Sequence, residues 1–162
     1  MTKATLFVKG IGSDICSPFF SAAGKLHVVR QGSGTIMSVD NSNGNTQTIC
    51  CTNGQPSGAA YNAEGVLYVA DFGHNGVLSM QQDGQQEMVV GVYEDKPLRG
   101  PSSISIHNDD IYFTDSGSFG DTGLHSRTGS LFAIVNRILK PLSYESMAYP
   151  SGLAVSRNSK IM

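Results

Sequence analysis

Apolar residues along this chain come in short runs of four to seven that alternate with polar positions, and turn residues cut each run off before a helical repeat can build. The stretch around Val66-Leu-Tyr-Val-Ala70 divides into four strand-like pieces at 57–61, 66–70, 76–81 and 86–92, rich in Val, Leu, Tyr and Met. Asn62-Ala-Glu-Gly65, Asp71-Phe-Gly-His-Asn75 and Gln82-Asp-Gly84 part them, and Gly65 and Gly84 supply the positive φ that tight hairpins require. The same parse recurs at 103–107, 111–114, 129–135 and 138–144, with a longer second loop over 115–128 crowded with Gly, Ser and Asp. An earlier, more diverged copy reads 18–22, 25–29, 35–39 and 46–51.

The second and third of these copies open on a Pro-Ser pair, at Pro56 and Pro101, and a further copy begins at Pro150, so the pairs are spaced by 45 and 49 positions. A period of that size in units of four antiparallel strands predicts an all-β chain, a β-propeller segment built of four-stranded blades. The expected organisation is one partial domain over 1–162, with blades at 13–52, 56–93 and 101–145 and lone partial strands at 4–9 and 152–156. Such a count leaves the ring unclosed and its blade edges open to self-association. It predicts about half of a six-bladed ring of roughly 270 residues. Two origins fit: a piece of a longer chain, or a half-ring that closes on a second copy of itself.

The pattern Pro56, Gly58, Gly65, Leu67-Tyr-Val-Ala-Asp71, Asn75, Val77 resembles the NHL repeat. Pro101-Ser-Ser-Ile, Ile111-Tyr-Phe-Thr-Asp-Ser116 and Gly129-Ser-Leu-Phe132 are similar to the gluconolactonase/regucalcin and strictosidine-synthase-like six-bladed propellers, as is Pro150-Ser-Gly-Leu-Ala-Val-Ser156. The resemblance spans 13–162. In lactonase-type members it implies one divalent cation, Ca²⁺ or Zn²⁺, in the central channel, held partly by Asn side chains in Pro-Asn motifs that open successive blades. The matching positions here are Ser102 and Ser151. A neutral hydroxyl is a poorer ligand for a hard cation than an amide carbonyl or carboxylate, so the expected site is weakened. No cofactor follows with assurance, and whether the chain is an enzyme stays open.

Composition narrows the partners. Formal net charge is −2, with pI near 6.0, which provides no basic footprint for nucleic acid. Charged residues are 15% of the chain, against roughly 25% in average globular proteins. No window approaches the roughly 20 apolar residues of a membrane span, and the first twenty residues are too broken by Lys3, Lys9 and Asp14 for a signal peptide. The expectation is a cytoplasmic protein with a small-molecule or protein ligand at the channel mouth. Cys16, Cys50 and Cys51 read as partly buried free thiols, because adjacent strand residues point to opposite faces.

The candidate channel-mouth residues are Asp71, His74, Asn75, Asp115, Asp121 and His125, all in second loops or at their edges. Asp71 and Asp115 close equivalent strands, where a carboxylate serves either as a base or cation ligand, or as a cap for backbone N–H groups of its own loop. Recurrence at one repeat position favours the cap. Asp121 with His125, beside Arg127, would form an acid/base pair in a solvated loop; His27 and His107 fall in strands and read as framework. No Gly-x-Ser-x-Gly motif supports a serine hydrolase. The leading expectation is a non-catalytic binding propeller, the other a metal-dependent lactone or ester hydrolase.

Overall fold

The computed structural model describes residues 3, 6, 8–81, 83–118, 127–143 and 145–156. Every regular element among them is a strand, and no described helix is long and apolar enough to cross a membrane. Three four-stranded antiparallel sheets follow one another along the chain, each with its strands in sequence order. The first holds β1 (Ile15–Phe20), β2 (Leu26–Arg30), β3 (Thr35–Val39) and β4 (Thr46–Cys51); the second β5 (Pro56–Tyr61), β6 (Leu67–Asp71), β7 (Gly76–Met80) and β8 (Gln86–Val90). A small hairpin of β9 (Val92–Tyr93) and β10 (Lys96–Pro97) leads to the third, with β11 (Pro101–His107), β12 (Asp110–Asp115), β13 (Ser130–Val135) and β14 (Ile138–Pro141). First strands are innermost: β5 packs against β1 on one side and β11 on the other. That radial stacking makes the sheets blades of a partial β-propeller.

Three details depart from the strands expected above. The piece 86–92 breaks after Val90, because Glu94 and Asp95 both adopt positive φ (48° and 60°) and fold the next residues into a separate hairpin. The innermost strand of the first blade runs Ile15–Phe20 rather than 18–22, since a bulge between Cys16 and Phe19, with Ser17 at φ 44°, lets the ladder continue past Pro18. Over 152–156 the backbone forms an isolated bridge at Val155 in place of a continuous strand. Of the span 4–9, residues 4, 5 and 7 lie outside the described residues.

Blade packing follows from which face each residue takes. In the middle blade Val69, Leu67, Leu78 and Met80 turn towards the first blade and join Val29 and Ile36. Their neighbours Ala70 and Val77 turn the other way, onto Ile104, Phe113 and Phe132 of the third blade. Both faces of β7 are therefore covered, and all five of its residues are buried. Phe113, fully buried, stacks on Phe132 at 5.5 Å, and Tyr93 of the small hairpin closes over Phe132 at 5.1 Å. Each such side chain contributes about 1.5–3 kcal/mol by leaving water. The outermost strands β4 and β8 are mostly exposed.

His27 occupies the seam between the first two blades. It stacks on Phe19 at 5.1 Å, meets Tyr61 edge-on at 5.3 Å, and its Nδ1 lies 3.0 Å from the Lys25 carbonyl. Burial lowers its pKa below the usual 6.5, the Lys25 carbonyl opposes that, and the Lys25 charge adds to it. A depressed histidine pKa means the unfolded chain takes up the proton first. The contribution is thus intact above pH 6.5 and is lost as the pH falls below it. Denaturant titrations from pH 7.5 down to 5 should show stability falling, with a shallower slope in His27→Phe; equal slopes would remove His27 as the source.

The three cysteines are free. Burial, and then the neighbouring Cys51, push the Cys50 thiol up to about 11, while Cys51 itself is exposed rather than partly buried.

Candidate functional site

Every innermost strand carries a bulge where it begins. Pro56 pairs with Asp71 and Gly58 with Ala70, so Ser57 is the extra residue; Pro101 pairs with Asp115 and Ile104 with Phe113, leaving Ser102 and Ser103 against Thr114 alone. A bulge bends its strand and re-aims the side chain that it carries. Here the result is a row of hydroxyls across the blade seams. Ser17 donates to the Ser57 carbonyl at 2.5 Å, and the Ser57 and Ser102 hydroxyls meet at 3.3 Å. Below this row the inner strands enclose a concavity of about 340 Å³, lined by Phe19, Tyr61, Ser103, Ser105 and Leu153.

The loops after β6 and β12 sit at the same end of the blades as these serines. Asp71 is fully buried; its Oδ1 accepts N–H bonds from Gln55 (2.9 Å) and His74 (3.0 Å), and His74 Nδ1 lies 3.3 Å away. That approach lacks hydrogen-bond geometry, so Asp71 Oδ2 and His74 Nδ1 are both buried without a partner among the described residues. Gly54 roofs the pair: a Cβ there would stand 2.3 Å from His74 Nδ1 and 2.4 Å from Asp71 Oδ1. Asp115 is held more tightly, accepting from the amides of Arg99 (3.0 Å), Gly100 (2.6 Å) and Gly117 (3.4 Å). Asn75, at φ 50°, is oriented to donate its amide to the carbonyls of Phe72 and Arg99 at 3.2 and 3.1 Å.

The first blade reverses this arrangement. Arg30 takes the position of Asp71, opposite Ile15, and the carboxylate comes instead from Asp14 across the ladder. Asp14 accepts from Arg30 Nε at 3.1 Å and from the Ser33 amide at 3.2 Å. One negative charge thus closes the loop in every blade, from either side of the ladder. Sequence reading missed Asp14, Arg30 and the hydroxyl of Ser57; the recurring Pro-Ser was the available signal for Ser57.

Among the sequence candidates, the structure brings Asp71 and His74 together and sets Asp115 apart in the next blade. Asp121 and His125 lie outside the described residues, and Arg127 is exposed. Ser102 is 6% exposed with its hydroxyl facing Ser57, whereas Ser151 is exposed. The described residues contain no group of three His, Cys, Asp or Glu, Asp115 is held by backbone amides, and Asp71 gives Oδ1 to two amides while its Oδ2 stays without a partner.

No protein-family model and no curated protein sequence matches the chain. Solved structures do. A gluconolactonase from Xanthomonas campestris, 20% identical, superimposes with a TM-score of 0.75 over 90% of this chain and 52% of its own. Virginiamycin B lyase from Staphylococcus aureus does so at 14% identity and TM-score 0.67, over 96% of this chain and 50% of its own. A chain of the nidogen/laminin complex, 18% identical, gives 0.70 over 90% and 54%. At these identities the fold alone is shared, and the chain spans about half the length of each structure.

Proposed function

We propose that the chain supplies three blades of a six-bladed, non-catalytic binding propeller whose channel mouth takes a small, neutral, hydroxyl-bearing ligand. The observation that carries this reading is the lining of the concavity between the inner strands: the rings of Phe19 and Tyr61 stand with Ser17, Ser103 and Ser105, and no described residue that lines it is charged. Neutral hydroxyls exchange hydrogen bonds with a polyol at little desolvation cost, and the apolar Phe19 and Tyr61 give a ring something to lie against.

The competing reading is a metal-dependent lactone hydrolase, favoured by the likeness to a gluconolactonase. One pair of experiments separates the two. Thermal-shift titration with D-glucitol and myo-inositol should raise the melting temperature, and the rise should vanish in Ser103→Ala/Ser105→Ala. Calorimetry with Ca²⁺ and Zn²⁺, coupled to hydrolysis of glucono-1,5-lactone, should give no metal-stimulated turnover. Metal-stimulated lactone opening that falls in Ser102→Ala would overturn the binding reading in favour of the hydrolase.

A further inference from the structure

The two rings that wall the concavity, Phe19 and Tyr61, share a third ring behind them. His27 lies directly across the ladder from Phe19, stacks on it at 5.1 Å with planes 23° apart, and meets Tyr61 edge-on at 5.3 Å. With Phe19 and Tyr61 themselves 5.7 Å apart, the three centroids form a nearly equilateral triangle. The first blade contributes Phe19 and His27 and the second contributes Tyr61, so the wall of the site is also the seam between blades. His27 is 4% exposed, and its contacts hold both rings.

A carbonyl can only accept, so Nδ1, 3.0 Å from the Lys25 carbonyl, carries the hydrogen of the neutral imidazole. Acid therefore adds its proton at Nε2. The groups around the ring give that charge no counter-ion: Phe19 on β1, and Ser38 and Gln47 in the same cross-strand row of β3 and β4, are uncharged, while Lys25 repels it. Tyr61 on β5 is held neutral because burial, and then Cys50, raise its phenol above the usual 10. Cys16 and Cys50, partly buried in the adjoining core, are neutral too, since burial raises both thiols. No carboxylate pairs with His27 within 4 Å among the described residues. An aromatic face attracts a cation, yet burial is the largest influence on this imidazole and lowers its pKa below 6.5. Of the groups facing the wall, His27 is the one that changes charge between about pH 5 and 8.

We infer that His27 is a proton-operated catch for the concavity: the neutral imidazole seats Phe19 and Tyr61 as its wall, and the imidazolium unseats them. A charged ring regains hydration only by turning towards water, and the two rings packed on it lose their support. Ligand release with acid is the consequence, and it rests on polyol binding at this concavity. Affinity is full above pH 6.5 and falls by up to about tenfold per pH unit once the lowered pKa is passed. Reciprocally, a bound polyol lowers the His27 pKa further.

NMR of the whole chain between pH 7.5 and 5 reads the catch without any ligand. The His27 ring signal, identified by its absence in His27→Phe and His27→Gln, should titrate below 6.5. The Phe19 and Tyr61 ring signals should follow with the same midpoint, while Phe113 and Phe132 of the third blade stay fixed. Phe19 and Tyr61 that ignore this titration, or four rings that move together as the chain unfolds, would overturn the catch. Calorimetry with myo-inositol then reads the consequence: affinity should fall at least about threefold from pH 7.5 to 5 in the parent, and less than about twofold in His27→Gln, whose amide keeps a donor for the Lys25 carbonyl. Binding that is constant with pH, or that falls equally in His27→Gln, would overturn the catch and leave the polyol reading standing. Rings that follow His27 without myo-inositol binding at either pH would support the catch and remove the polyol reading.

Discussion

Asp115→Ala is expected to destabilise the protein by about 3 kcal/mol or more, on the order of 6–12 °C in melting temperature for a chain of this size. The carboxylate is 6% exposed and accepts from three backbone amides, those of Arg99, Gly100 and Gly117. Gly100 and Gly117 are themselves buried, so alanine leaves their N–H groups without an acceptor and without water to replace it. Asp115→Asn keeps one carbonyl oxygen in place and should lose roughly half as much, the remainder reflecting the stronger bonds an ionised acceptor makes. The result also tells the two readings of this aspartate apart. A residue held for catalysis or ligand binding is commonly neutral or stabilising to remove, whereas a loop clamp is not. A melting temperature for Asp115→Ala within about a degree of the parent would return Asp115 to the candidates for chemistry.

How far the sequence reached depended on whether a feature is carried by local chemistry or by register. The strands of the middle blade were legible because alternation and turn glycines act locally: Leu67–Asp71 and Gly76–Met80 lie within a residue of their expected bounds. The turn at Asn136 and Arg137 was also legible, although both residues adopt positive φ (51° and 64°), because asparagine favours that region. Glu94 and Asp95 build the same kind of turn without Asn or Gly, and the hairpin they form was invisible. The exchange of Asp71 for Asp14 was hidden for a different reason. A carboxylate that moves across a ladder leaves the repeat position holding an arginine, and only the pairing of Ile15 with Arg30 reveals that the two arrangements do the same work.

Gly58 and Gly152 make the limit testable, because each stands third in a Pro-Ser-Gly opening and the sequence treats them alike. Their surroundings differ. A Cβ on Gly58 would lie 2.4 Å from the Ser102 carbonyl oxygen, 3.2 Å from the Ile104 nitrogen and 3.3 Å from Ser103 Cα. All three are backbone atoms of the bulge in β11, so no side chain can swing aside; the blades must separate. We expect Gly58→Ala to cost about 2–3 kcal/mol, near the upper end for overpacking a tight seam. It should also displace Ser103, which lines the concavity beside Gly58, and so weaken polyol binding more than the loss of stability alone accounts for. Gly152→Ala meets no described atom within 4 Å and should change stability by less than about 0.5 kcal/mol. Urea titrations of the two variants side by side provide the measurement. Equal effects would mean that β5 and β11 do not approach as closely as the seam requires. At the same position of the third blade the chain already carries Ser103, whose amide donates to Thr114 Oγ1 at 3.0 Å, so the requirement for glycine belongs to the seam between the second and third blades and not to the repeat.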